Sequence, residues 1–239
     1  MLINVDVKSL EVVVAAELAN DPVLKEEIIR KLDLHALNQE RFKLPDRATA
    51  KRFIFKLLYG ATAFGYSKDS DFLGVGLSQK QWQSVIDEFY SKYVGIGKWH
   101  AHLLETCRRN DGVIEIPSGR YYQFSTKKND WGDIKWPLTQ IKNYPVQGFG
   151  ADLVKLARIE FFERFIQSGL EGFFIQTIHD SIVVDVPEKN VAETAKMLSE
   201  SVAKVPELCY NYWSYKFSLP LTSEILVGPN KKDLVEYKL

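Results

Sequence analysis

The stretch GFFIQTIHDSIVVDVP, residues 172–187, decides the fold. Two β-rich apolar runs flank HDS, His179 to Ser181, with no room for a crossover connection. Strands joined so tightly must be antiparallel. The segment also sets a carboxylate, Asp180, at the tip of an apolar hairpin. Burying an acidic side chain unpaired is costly. An aspartate in a turn is common, but that reading leaves the adjacent histidine and the strongly apolar flanks unexplained. Two strands that bring carboxylates together can instead hold divalent cations, and Asp6, near the start of an N-terminal strand, is the candidate partner.

Working outward, Val5–Val14 begins as a strand and shifts toward helical composition from Leu10. Residues 23–32 and 33–42 read as helices. Asp46 is a candidate N-cap for a helix from Arg47, and Ser78 for one reaching Tyr93. Gly95 and Gly97 read as an interruption before a helix over Lys98–Arg109. GVIEIPSGRYYQF alternates around a turn and reads as a hairpin. KKNDWGDIKWP reads as a polar loop. Asn143–Gly150 leads into a long helix from about Ala151 to Ser168. Asn190–Lys204 is helical, and PLTSEILVG is a last strand. The order predicts an α+β fold with an antiparallel sheet and a helical subdomain.

A second pattern lies in RATAKRFIFKLLYGATAFGY, residues 47–66. Arg47, Lys51, Phe55 and Tyr59 are each four residues apart, and Gly60 follows. On a helix they form a stripe with cations at one end and aromatic rings at the other. Aromatics at this spacing usually belong to a core and cations to a solvated face. However, Arg47 to Lys68 holds five cations and no Asp or Glu, in a chain with 31 basic and 31 acidic residues. The positive field is local. A nucleoside triphosphate, anionic at one end and stacking at the other, matches the stripe.

At 239 residues, with 46% hydrophobic and 26% charged residues, the composition is that of a soluble globular protein. No apolar run is long enough to span a bilayer. Cys107 and Cys209 make neither a disulfide framework nor a zinc site. The start lacks a cationic leader and a cleavage site. A cytoplasmic setting is expected.

These motifs resemble family A DNA polymerases, the bacterial DNA polymerase I family and its phage relatives. DVKSLE, Asp6 to Glu11, resembles the first motif, a metal-binding Asp with a Glu five residues on. RATAKRFIFKLLYG resembles the fingers helix, and HDS the third motif. DLHALN, SGRYYQF and NYPVQGFGADL resemble the segments that meet the triphosphate, the duplex and the template. The resemblance implies a palm and fingers without thumb or exonuclease: residues 1–32 first palm strand and helices, 33–110 fingers, 111–239 palm.

It also implies roles. Asp6 and Asp180, with the Val7 carbonyl, would hold two Mg²⁺ for nucleotidyl transfer of a dNTP to a primer 3′-hydroxyl. Arg47, Lys51 and His35 would grip phosphates, and Lys51 would donate the proton to pyrophosphate. Phe55 would pack on the nucleotide, and lacking a hydroxyl it predicts poor use of dideoxynucleotides. Tyr59 would stack on the template. Glu11 would exclude a 2′-hydroxyl and hydrogen-bond Tyr59. Gly60, Arg120, Asn143, Gln147 and His179 would contact DNA. Departures from the family are Ser181 where Glu is common, Thr139 where Arg is common, and Val7-Lys8 for Tyr-Ser.

Relatives carry thumb and proofreading domains before the first motif, which here starts at the sixth residue. The chain is then either a fragment or, as the favoured expectation, the C-terminal part of a split polymerase whose N-terminal chain supplies thumb and exonuclease, with the first strand lying beside the partner's strands. Two other readings are a non-catalytic nucleic-acid-binding subunit of polymerase architecture and a single-subunit RNA polymerase. Glu11 and Phe55 favour DNA synthesis.

Overall fold

The computed structural model describes residues 1–128 and 132–239. The chain begins with β1 (Leu2–Val7), α1 (Leu10–Ala19), α2 (Pro22–Ile29), α3 (Leu34–Phe42) and α4 (Arg47–Leu58). Next come α5 (Ala63–Lys68), α6 (Gln79–Lys92), α7 (Val94–Arg109) and two small ribbons, β2 (Val113–Glu115) with β3 (Tyr121–Gln123) and β4 (Lys127–Lys128) with β5 (Ile134–Lys135). The remainder is α8 (Leu138–Ser168), β6 (Phe173–Ile178), β7 (Ser181–Asp185), α9 (Val191–Trp213), β8 (Ser223–Gly228) and β9 (Val235–Glu236). Two compact units result: residues 1–10 with 148–239, and residues 11–147.

The first unit is built on a five-stranded antiparallel sheet in the order β6-β7-β1-β8-β9. Along β1, Ile3, Val5 and Val7 are buried, while Leu2, Asn4 and Asp6 are half-buried. That period of two fixes which way each side chain points. In β7 the run Ile182-Val183-Val184 is buried throughout, as expected of a strand covered on both faces. Helix α9 contributes Ala195, Leu198, Val202 and Val205 to the core. β1 is thus the central strand, paired with β7 and β8. The expectation that it borders another chain's strands fails, because both of its edges are filled within this chain. The sheet edges are β6 and β9.

The second unit is helical around an aromatic core. Phe53 of α4 stacks on Trp82 of α6 with centroids 5.8 Å apart, and Tyr66 of α5 stacks on the same indole at 5.0 Å. The Tyr66 hydroxyl donates to the Phe53 carbonyl at 2.7 Å, so a buried polar tip is satisfied. A smaller apolar cluster joins Leu103 and Cys107 of α7 to Ile114, Phe124 and Ile141. Both cysteines are free and buried.

Several sequence-based boundaries move. The α7 helix starts at Val94, so Gly95 and Gly97 lie in its first turn. The reason is distant: Asp21, fully buried, caps α2 through the Leu24 N–H at 2.9 Å and also accepts from Gly95 N at 2.7 Å and Ile96 N at 3.3 Å. One carboxylate caps two helices. A Cβ on Gly95 would stand 2.6 Å from the Asp21 Cα. α8 begins at Leu138 and runs through Pro145, since buried Ile141, Val146 and Phe149 hold its register. α9 continues through Pro206 to Trp213, with Val205, Leu208 and Cys209 extending its buried face. The expected polar loop contains the β4–β5 pairing; residues 129–131 of that loop lie outside the described residues. β9 was not anticipated.

Asp21→Ala should remove acceptors from two helix starts at once and lower unfolding free energy by roughly 2–3 kcal/mol. Urea denaturation measures this, and a loss below about 0.5 kcal/mol, the level of an ordinary surface change, would contradict the double-cap assignment.

Candidate active site

The first unit carries the carboxylates. The β1–β7 register sets Asp6 opposite Ser181, one residue from Asp180. The Val7 N–H donates to the Asp180 carbonyl at 3.2 Å, extending the pairing beyond the last strand residue. The turn is His179-Asp180, with His179 at φ +52°, a left-handed conformation uncommon in residues other than glycine, asparagine and aspartate. Pairing on both sides holds it there, and such outliers gather at functional sites. Ser181 is buried and its hydroxyl donates to the Ile178 carbonyl at 3.0 Å. Where a third carboxylate would stand, this chain has a turn-closing serine. Among the described residues no group of three or more His, Cys, Asp or Glu could hold a metal ion.

The second unit carries the α4 stripe. Thr49, Ala50, Phe53, Ile54, Leu57 and Leu58 are buried. Arg47 and Lys51 are exposed, while Phe55 and Tyr59 are half-buried. The stripe is therefore not the core face of its helix, and its two aromatics are only partly covered. The helix begins at the Asp46 cap, whose carboxylate accepts from Thr49 N at 2.7 Å. It ends in a paired motif: Gly60 N donates to the Leu57 carbonyl and Ala61 N to the Lys56 carbonyl, with Gly60 at φ +86°. This closure needs a residue free of Cβ strain.

Charge along α4 is sorted by neighbours. Lys56 bonds Asp69 and Asp71, the latter at 2.7 Å, so it is neutralised. Arg47 Nε bonds Asp33 at 2.8 Å. The Lys51 ammonium lies 5.8 Å from the Phe55 ring centroid, within cation–π range. His35, in the first turn of α3, is buried with its ring 6.1 Å from that of Phe55. Its Nδ1 is buried without a partner. Burial first, then the charges of Arg47 and Lys51, hold its pKa below the usual value, which favours the neutral imidazole.

At the other end of the stripe, burial and then the Glu11 carboxylate raise the Tyr59 phenol pKa strongly, with Gln147 opposing. Glu11 and Gln147 are thus its close neighbours, although Tyr59 Oη makes no hydrogen bond of full geometry. Asn143 is half-buried with an unpaired Oδ1. Arg120 is exposed in the turn between β2 and β3, and its carbonyl accepts from Ile116 N. His179 is exposed in the first unit.

Two neighbours escaped the sequence reading. In the sequence Asp33 reads only as the first residue of a helical segment. Lys142, which precedes Asn143, lies over Gly60: a Cβ there would meet its Cδ at 3.0 Å. Burial lowers the Lys142 pKa. Its charge also acts on His100, which is buried, accepts or donates at Nδ1 with the Tyr90 hydroxyl at 3.1 Å, and has Nε2 unpaired. No spacing rule signals either contact.

A family model described as DNA polymerase family A matches residues 1–233. The chain belongs to that family. Among its polymerase relatives, a thermostable DNA polymerase I from Thermus filiformis is 28% identical over 247 residues, covering 100% of this chain and 27% of that protein. The DNA polymerase I of Pseudomonas aeruginosa is 27% identical over 96% of this chain and 24% of its own length. A DNA polymerase of Bacillus phage SP01 is 26% identical over 82% of this chain and 21% of its own length. The fold matches the polymerase domain of Pol1 from M. smegmatis, solved with DNA primer-template and dNTP, at TM-score 0.79 and 19% identity. That match covers 94% of this chain and 38% of the other. This family A chain thus spans about a quarter of the length of the named polymerase relatives.

Burial, followed by Lys142, depresses the His100 pKa to about 3. The unfolded chain takes up that proton near pH 6.5, so stability must fall as pH drops below 6.5 toward 3, by about 1.4 kcal/mol per pH unit. Urea midpoints between pH 7 and 5 should decline more steeply for the wild type than for His100→Gln; parallel slopes would refute the assignment.

Proposed function

We propose that this chain is the palm-and-fingers portion of a template-directed DNA polymerase. The observation that carries the reading is the register that sets Asp6 beside the Asp180 turn. Two oxygen ligands on a rigid sheet suit Mg²⁺, which keeps water and substrate phosphates in its remaining positions. Asp6 and Asp180, with the Val7 carbonyl, would hold it. Once bound, the metal pair supplies charge stabilisation and activates the primer 3′-hydroxyl. The palm is assigned to residues 1–32 and 111–239, and the fingers to residues 33–110. The latter fall within the second unit, which also holds residues 11–32 and 111–147.

The chain's own groups act on the nucleotide. Arg47, Lys51 and neutral His35 bind the triphosphate, and Lys51 hands a proton to the departing pyrophosphate. Phe55, half-exposed beside Lys51, packs on the sugar and base. Glu11 excludes a 2′-hydroxyl, which favours deoxynucleotides. Tyr59 alternates between stacking on the template and clearing the insertion site. Asn143, Gln147, Gly60, Arg120 and His179 meet DNA.

We further infer that more protein, of this polypeptide or another, packs on the first unit. The support is an uncovered apolar face on the first unit. Ile159, Phe162 and Ile166 of α8 are exposed at helical spacing. Phe162 and Phe174 help line a cavity of about 350 Å³ there. An edge strand beside apolar surface is a natural docking face. An equivalent face stabilising a second copy of this chain would instead give a dimer in sedimentation.

Primer extension with dNTPs and Mg²⁺ by the complete assembly tests the catalytic assignment. Asp180→Asn should lower incorporation at least about a thousandfold while leaving primer-template affinity within about threefold. An unchanged rate would overturn the metal assignment.

A further inference from the structure

The Asp33 carboxylate uses its two oxygens for different tasks. Oδ1 accepts from the backbone N–H groups of His35 at 3.1 Å and Ala36 at 3.0 Å, closing the start of α3. Oδ2 accepts from Arg47 Nε at 2.8 Å, joining α3 to the first residue of α4. The side chains are 46% and 56% exposed. A pair that exposed contributes about 0–1 kcal/mol to stability, so its effect lies in geometry.

Arginine has five N–H donors in a planar fork. A bond made through Nε leaves the two Nη groups for an anion, and phosphates are recognised by two parallel N–H donors. The same carboxylate, as the cap of α3, also fixes the backbone that carries His35. His35 Nδ1 is buried and unpartnered. One side chain thereby orients two of the three groups assigned to the triphosphate. A free arginine side chain carries about 2 kcal/mol of rotamer entropy, and holding it in advance lowers the cost of binding.

We propose that Asp33 is a positioning residue for the incoming triphosphate: it holds Arg47 by Nε and His35 by the α3 cap, so that both face one phosphate-binding surface before nucleotide binds. This rests on the reading of Arg47, Lys51 and His35 as the triphosphate cradle. The opposite effect is also physical. A carboxylate beside an anion site repels the ligand, so if charge alone acted, removing Asp33 would tighten binding. Here the guanidinium and two N–H groups already neutralise it.

The test uses tryptophan fluorescence titration with dATP and with inorganic tripolyphosphate, which lacks base and sugar. Asp33→Asn keeps a good capping side chain but removes the charged acceptor for Arg47. Asp33→Ser keeps a capping oxygen too short to reach Arg47. Both should weaken dATP and tripolyphosphate about tenfold, with urea midpoints unchanged. Neither should weaken binding further in an Arg47→Ala background. If Arg47→Ala weakens tripolyphosphate but both Asp33 variants bind it as tightly as wild type or more tightly, the positioning role is wrong. If Arg47→Ala has no effect on tripolyphosphate, the cradle reading itself falls.

Discussion

The pairing of β1 between β7 and β8 is the constraint on which the first unit depends. Ile3, Val5 and Val7 are almost wholly excluded from water. A slip of one residue would exchange them with Leu2, Asn4 and Asp6. Burial of three large apolar side chains, at about 1.5–3 kcal/mol each, makes that slip prohibitive. The position of Asp6 opposite the end of β7 thus follows from hydrophobic parity rather than from attraction between acids, which repel. The left-handed backbone at His179 is sustained by the same ladder.

The second unit solves a different problem. A cationic stripe must stand on a helix that is anchored elsewhere. α4 does this with one buried face, where Phe53 meets Trp82 and Tyr66, and one face left to Arg47 and Lys51. Lys56 is withdrawn from that field by two aspartates. Arg47 is paired with Asp33, and Lys51 stands beside the Phe55 ring.

Legibility in the sequence followed the range of the interaction. The caps Asp46 and Ser78 were readable, because a cap bonds within three residues of itself; both are present, Ser78 as a capping box with Gln81. The α4 stripe was readable from its period of four, and the β6–β7 hairpin from two apolar β-rich runs flanking a tight turn. What failed was set from far away. Gly95 looked like a breaker because Asp21, which caps that turn, lies 74 positions earlier. Residues 143–150 read as a lead-in to a helix from about Ala151, whereas packing carries the helix from Leu138 through Pro145. Strand order was invisible because residue types do not name neighbours, and β1 was placed at an edge when it is central. Asp33 read only as the start of a helix and Arg47 as one end of the stripe; that they bond each other required the fold.

The account stands on Asp6 and Asp180 acting as one metal-binding pair. Crystals soaked with Mn²⁺, which also takes carboxylate oxygens, and analysed by anomalous diffraction test this most directly. The account predicts manganese bonded to one carboxylate oxygen from each residue, lost in Asp6→Asn. Ordered Asp6 and Asp180 side chains turned apart, with manganese bound elsewhere or not at all, would contradict it.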